Sequence, residues 1–350
     1  MELYILDTNF KEVGAISAFD TLIWNRKYYA PGEFEIYLDR KYWDILKYGR
    51  YICRQENTDT GILEHIGMDD ENRRIFATGR TMEAVLADAV VDTQTDFTGI
   101  SEEIIRKMIQ GFAMPKNSKL SLGDVHNIGV KTTLQCTGDN VMEKAFETAK
   151  EAEATVCVIY DYLTDTLKAE VRKGLDRSEG QTEHTLAVFS TEDGSAENPK
   201  YDLDITDYKN FAYVAGEDAG KNRIVVTIDL RENTDEAKRE VWIDARDLQS
   251  EEMSAEAYKE ALRQRGLEKL TEYQKIETVE ITAGNNKHLV YREDFDVGDI
   301  CSCIDEASGI AITARITEAV ETIEGNVKTL DITFGDEKKD LTHRIAKGVV

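Results

Sequence analysis

The side chains best able to do chemistry in this chain are five cysteines and five histidines, and their spacing decides what they could do. The cysteines are Cys53, Cys136, Cys157, Cys301 and Cys303, and the histidines are His65, His126, His184, His288 and His343. A cysteine hydrolase needs a thiolate beside a positioned imidazole. Cys157 and His184 are the pair to consider, but no local signature surrounds either. Zinc needs clustered Cys and His at set intervals. Cys301-Ser302-Cys303 has no second ligand pair at usable spacing, so two core cysteines pointing the same way from one strand is the plainer reading. Asp294-Phe295-Asp296-Val297-Gly298-Asp299 resembles a calcium loop superficially. It lacks the glycine at the sixth loop position and the rest of the twelve-residue ligand pattern. Asp and Gly at these positions read instead as a tight turn into a strand. A glycosidase needs two carboxylates across a cleft. With 68 acidic residues some pair always fits, so that pattern decides nothing. Neither a phosphate-cradling P-loop nor a dinucleotide G-x-G-x-x-G occurs. No catalytic residue, metal ligand or cofactor is assigned.

Against those 68 acidic residues stand 43 basic ones, a formal net charge of -25. Such a chain is repelled by nucleic acid and by anionic membrane surfaces. Trp24-Asn25-Arg26-Lys27-Tyr28-Tyr29 is the best local match to a basic patch with interleaved aromatics. It is six residues long in a very acidic chain, so a strand end meeting a partner surface is the better reading. The odd, scattered cysteine count gives no disulfide framework, and the first nine residues have no secretory pattern. Folding in a reducing cytoplasm is the expectation. No window approaches a membrane span.

The elements that must position these residues begin with β-structure. Residues 32–38 alternate, with Phe34, Ile36 and Leu38 on one face. Further strands are expected at 18–28, 51–55, 61–69 and 74–78. The period then changes. Residues 81–91 have helical spacing, with Met82, Val85, Leu86 and Ala89 on one side. Ser101 reads as the N-cap of a helix to residue 110, with Glu102 and Glu103 in its first turn. Asp139 or Asn140 caps a third helix, and strands follow at 155–160 and 167–172. Residues 174–199 read as a long loop interrupted by a short strand at 186–189. Strands are expected again at 211–216, 223–230 and 240–244, then a long helix capped by Ser254 and reaching about residue 273. The last strands fall at 276–282, 299–304, 310–320 and 327–334. The fold class is therefore α+β, mainly β: two barrel-like β-domains with α/β insertions.

Several segments together resemble one family. Trp24-Asn25-Arg26-Lys27-Tyr28-Tyr29-Ala30-Pro31-Gly32-Glu33-Phe34-Glu35-Ile36 is similar to its W-x-x-x-Y…G-x-F-x-[IL] opening. Gly79-Arg80-Thr81-Met82-Glu83-Ala84-Val85-Leu86 is similar to its next block, and Tyr208-Lys209-Asn210-Phe211-Ala212-Tyr213-Val214-Ala215-Gly216 to its central segment. Tyr291-Arg292-Glu293-Asp294-Phe295-Asp296-Val297-Gly298-Asp299 and Thr333-Phe334-Gly335 resemble its C-terminal signature. The family is that of siphophage-type tail hub proteins, related to the baseplate hub of contractile tails and to the N-terminal part of tail-associated lysins.

The resemblance implies a baseplate-hub fold assembled as a homotrimeric ring, with no enzyme activity of its own. Its expected partners are the distal tail protein ring, the tape measure protein, and a fibre, spike or lysin. DNA would pass through the ring without specific binding. The expected place is the virion tail tip, after assembly in the host bacterial cytoplasm. The expected domains are residues 1–80, completed by strands near 205–245; an α/β insertion over 81–204; returning strands and the long helix over 205–275; a second barrel-like domain over 276–335; and a tail over 336–350. No lysin domain is expected beyond Gly335. The competing readings are a tail-tip peptidoglycan hydrolase or endopeptidase, and a carbohydrate-binding host-recognition protein. The motif residues are read structurally. Trp24 and Phe34 pack a barrel core or rim, Tyr28 stands with them in the motif, and Gly32, Gly298 and Gly335 make turns that a Cβ would obstruct. Asp294, Asp296 and Asp299 bond loop amides or a neighbouring subunit. Asn210, Gly216, Tyr291 and Phe334 complete the set.

Overall fold

The computed structural model describes residues 1–54, 59–69, 74–217, 223–231, 233, 235–248, 253–284 and 288–335. The expected tail over 336–350, His343 within it, and the end of the expected strand at Gln55 lie outside the described residues. Two units result: Met1–Lys200 with Val279–Gly335, and Tyr201–Thr278.

Unit 1 opens with alternating segments that become β1 (Leu3–Leu6), β2 (Glu12–Ile16), β3 (Thr21–Lys27) and β4 (Glu33–Asp39). The short helix α1 (Trp43–Tyr48) leads to β5 (Tyr51–Arg54), β6 (Thr60–Asp69) and β7 (Arg74–Thr81). The α/β insertion holds β8 (Thr95–Ile100), α2 (Ser101–Met108), β9 (Leu120–Leu122), β10 (Lys131–Cys136), α3 (Val141–Glu151), β11 (Thr155–Asp161) and β12 (Thr166–Arg172). After β13 (Val188–Ser190), the chain leaves along β14 (Ala196–Asp204). Unit 2 holds β15 (Phe211–Ala215), β16 (Val225–Asp229), β17 (Glu240–Asp244) and α4 (Ala255–Leu270). The chain returns along β18 (Ile276–Ala283) to β19 (Ile300–Asp305), β20 (Ile310–Glu324) and β21 (Val327–Gly335).

Mainly β architecture with an α/β insertion is what the alternation implies, and it is what forms. One thirteen-stranded sheet runs β14-β18-β21-β20-β3-β4-β7-β6-β5-β1-β2, with β19 on β20 and β13 on β19. The cause is the length of β20. Its fifteen residues pair first with β19 and then, antiparallel, with β3 from Glu318 opposite Lys27 to Glu324 opposite Thr21. The first and last segments of the chain therefore share one sheet. Among the described residues this strand path stays open and closes no barrel. In unit 2, β15–β17 pair with one another in the order β16-β15-β17.

Two helical expectations also change. Residues 82–88 form a tight 3-10 turn with Met82, Ala84 and Leu86 buried, so Val85 lies outside the buried set. Ser101 is not a cap. The extended Ile100 holds that place without a side-chain bond. Glu102 is fully buried and turns its carboxylate onto the loop amides of His126 and Ile128, each at 2.9 Å. Asn140 and Ser254 do cap their helices, accepting from Met142 N at 3.0 Å and Ala257 N at 3.2 Å, contributions worth about 1 kcal/mol each.

Candidate functional site

Strand parity puts charges where apolar side chains are usual. In β5 the inward positions carry Ile52 and Arg54. In β20 they include Ala319 and Glu321. Arg54 and Glu321 are 1% and 2% exposed, and the guanidinium grips the carboxylate at two points, 2.9 and 3.1 Å. Lys328 Nζ adds a third contact at 2.7 Å. The guanidinium also lies 5.4 Å from the Trp24 ring, a cation–π contact that burial strengthens. Trp24 in turn stacks on Phe34 with centroids 5.2 Å apart.

The network continues outward through three more pairs. Asp59 lies 3.6 Å from Arg54 and takes a two-point bond from Arg292. Arg26 pairs with Asp296 and donates to the Tyr291 hydroxyl at 2.9 Å. Asp299 accepts from the Leu175 amide and from Arg177 Nε, both at 2.7 Å, and from the Asp296 amide at 3.1 Å. Breaking such a buried pair by removing one partner strands an uncompensated charge.

The electrostatics follow from these contacts. Burial opposes ionisation of Glu321, but Arg54 and Lys328 outweigh it and hold its pKa down at about 2. Burial also opposes the charge of Arg26, yet the Tyr291 oxygen and the Asp296 and Asp59 carboxylates raise its pKa. Burial pushes the Tyr291 hydroxyl to about 12, with Asp296 adding to the effect.

Beside this network lies a cleft of about 360 Å3 whose walls include Arg26, Tyr28, Glu83, Cys157, Arg292 and Asp299. Burial, then the Glu83 carboxylate, pushes the Cys157 thiol up to about 12, so it stays protonated near neutrality. Burial likewise raises Glu83, which accepts from the Val158 amide at 3.2 Å. His184, the imidazole paired with Cys157 on paper, sits with Nδ1 3.2 Å from the Asp176 carbonyl oxygen. Among the described residues no three His, Cys, Asp or Glu side chains gather so as to hold a metal ion. All five cysteines are free thiols, and Cys301 and Cys303 share one core cluster. What the polar groups of the cleft do is bond strand ends and turn amides in place.

The structure gathers part of the motif set here. Gly32 and Tyr28 line the cleft together with Asp296 and Asp299. Tyr28 donates to the Glu153 carbonyl at 3.1 Å and accepts from the Gly174 amide at 3.1 Å. Gly298 has φ +101°, and a Cβ there would stand 2.2 Å from the Tyr28 ring. Neither condition admits another residue without rearrangement. A Cβ on Gly32 would meet the Asn25 carbonyl oxygen at 2.3 Å. Asp294 stands apart, closing its own turn through the Val290 amide at 2.8 Å. Trp24 and Phe34 belong to one apolar core, and Phe334 to another with Phe189 and Phe295. The Gly335 carbonyl accepts from Thr317 at 2.7 Å. Asn210 and Gly216 belong to unit 2. Asn210 is fully buried, donating to Glu236 and the Ala237 carbonyl and accepting from the Arg239 amide at 2.8 Å. A Cβ on Gly216 would lie 2.4 Å from the Tyr258 hydroxyl. Sequence reasoning missed Arg54, Asp59 and Glu321. The usable signal for the first and last was a charge at the inward phase of an alternating strand.

The family described as "Siphovirus ReqiPepy6 Gp37-like protein" matches residues 2–336. No curated protein matches in sequence. Solved structures do match in fold. A tail protein from Neisseria meningitidis MC58 aligns with TM-score 0.62 at 13% identity, covering 96% of this chain and 96% of its own. The 43 kDa tail protein of prophage MuSo2 from Shewanella oneidensis gives 0.60 at 11% identity, over 95% and 98% of the two chains. The prophage tail protein gp18 from Listeria monocytogenes EGD-e gives 0.57 at 14% identity, over 99% and 98%. The chain belongs to the Siphovirus ReqiPepy6 Gp37-like family and has the fold of these tail proteins.

Proposed function

We propose that this member of the family is a structural component of a phage or phage-like tail, and that it serves there as the hub of the tail tip or baseplate. The observation that carries the reading is end-to-end likeness. A single family description spans residues 2–336, and the fold follows tail proteins, two of them from prophages, over nearly the full length of both chains. In this reading the chain forms a homotrimeric ring in the virion tail tip, after assembly in the host cytoplasm. It joins the tail tube and the distal tail ring, with the tape measure protein, to a fibre, spike or lysin.

The charge fits that task. A chain of net charge -25 placed around a DNA conduit repels phosphate, whereas a cationic lining would bind the polyanion and stall it. The ion network of unit 1 fits it too, since a joint under load gains from strands fixed in register by buried two-point pairs. The chain performs no turnover of its own. Sedimentation of the purified protein tests the assembly, with a species three times the chain mass expected and a monomer at every concentration contradicting the ring. A zymogram on cell-wall substrate tests the chemistry: reproducible clearing would overturn the non-enzymatic reading.

A further inference from the structure

Unit 2 is a three-stranded sheet with α4 on one side only. The parity of its strands sorts the side chains cleanly. Ala212, Val214, Val226, Ile228 and Ile243 turn toward the buried cluster that includes Tyr258 and Leu262 of α4. The other parity carries Tyr213 directly opposite Trp242 in the parallel β15–β17 pairing. Their rings lie 6.4 Å apart and 28° from parallel, so they form one shallow platform. Phe211, itself buried, props Tyr213 edge-on at 5.1 Å. Trp242 is 57% exposed. An indole left in water forgoes the stabilisation that burial would give, and Trp242 is absent from the cluster that packs α4.

The platform has a polar rim. The Tyr213 hydroxyl bonds Glu240 at 3.1 Å. Arg223 bonds Asp244 at 2.6 Å and holds its guanidinium 5.7 Å from the Trp242 ring. Asp229, opposite Phe211 on β16, is paired with Arg231. These pairings hold charged groups in place around the rings, with the Asp229 and Asp244 carboxylates open to solvent.

We propose that this face binds a neutral oligosaccharide of pyranose units with equatorial hydroxyls, stacked on Trp242 and Tyr213. Such a ring has an apolar C–H face that matches an aromatic plane. Its hydroxyl edge can both donate to carboxylates and accept from guanidinium, which the rim offers. Charge separates this ligand from the other polymer that stacks on sheet aromatics. Asp229, Glu240 and Asp244 border the rings, and a single-stranded nucleic acid would bring phosphates against them. One exposed ring beside a half-buried one, hemmed by ion pairs, also makes a narrower apolar area than the core of a protein interface, where charged residues are depleted. The inference stands apart from the tail-hub reading, since a glycan site could belong to any tail component.

The test titrates the full chain with chitohexaose, a neutral β-1,4-linked oligosaccharide, by calorimetry and by ligand-observed NMR. Saturable binding is expected. Trp242→Ala should weaken it at least tenfold, Trp242→Phe should keep most of it because a ring remains, and Lys259→Ala on α4 should leave it unchanged. Absence of binding by the native chain, equal binding by Trp242→Ala, or tighter binding of a dT20 oligonucleotide would each overturn the proposal. So would a Trp242→Ala protein that loses the native oligomer, because the rings would then belong to a subunit interface.

Discussion

Arg54 and Glu321 are 267 residues apart in sequence and meet at 2.9 and 3.1 Å with both side chains sealed from water. Asp229 and Arg231 in unit 2 make a pair at 2.8 Å, but they are two residues apart and the carboxylate is open to solvent. The two pairs have similar bond lengths. They differ in what their loss would leave behind. Removing Arg54 takes the two-point partner from a carboxylate inside a packed sheet, opposite Trp24, and leaves it Lys328, itself half-exposed to solvent. Removing Arg231 hands a carboxylate to water, which solvates it well. The long-range pair joins strands from opposite ends of the sequence, whereas the local pair joins a strand end to the turn after it, where Arg231 also donates to the Glu236 carbonyl at 3.1 Å.

The sharpest way to break this contrast is Arg54→Ala. It should cost about 3–5 kcal/mol, read from the urea midpoint by the fluorescence of the buried Trp24. A loss near zero would mean that Glu321 finds other partners. The acid limb comes next. The folded-state pKa of Glu321 is depressed from its ordinary 4.5 to about 2. Its contribution is therefore fully present above pH 4.5 and is lost as pH falls toward 2, by about 3 kcal/mol in total. Glu321→Gln should flatten that part of the stability–pH profile, and an unchanged slope would assign the acid sensitivity to other carboxylates. In unit 2, Asn210→Ala removes three bonds from a fully buried amide and should cost about 1–3 kcal/mol. Hydrogen exchange along β15 and β17 would show it as faster opening of that sheet. Smallest of all, Arg231→Ala removes an exposed-carboxylate pair and one bond to the Glu236 carbonyl and should cost about 1 kcal/mol or less; a loss as large as that of Arg54→Ala would erase the distinction drawn between the two pairs.

The same contrast explains what could be read from the sequence. Local features were legible. The alternation through Phe34, Ile36 and Leu38 forms β4, and Ser254 caps α4. The Asp–Gly turn before β19 forms with Gly298 in its left-handed conformation. Features set by distant partners were not. Nothing near Arg54 announces Glu321, and nothing in β20 says that its second half will pair with β3. Ser101 shows a related limit. Its type suits an N-cap, but the buried Glu102 beside it is held by a loop some two dozen residues away, and that contact sets where the helix begins. The motif residues do not gather in one place. Tyr28, Gly298 and Asp299 meet at one cleft, while Asn210 and Gly216 serve a different sheet.

The central claim is that this chain is a ring-forming hub of a tail. Electron cryomicroscopy of tails assembled with it tests that claim most directly. The account predicts three copies around an open axis at the distal end of the tube, with acidic side chains toward the lumen. A copy number other than three, a position away from the tip, or a basic lumen would contradict it.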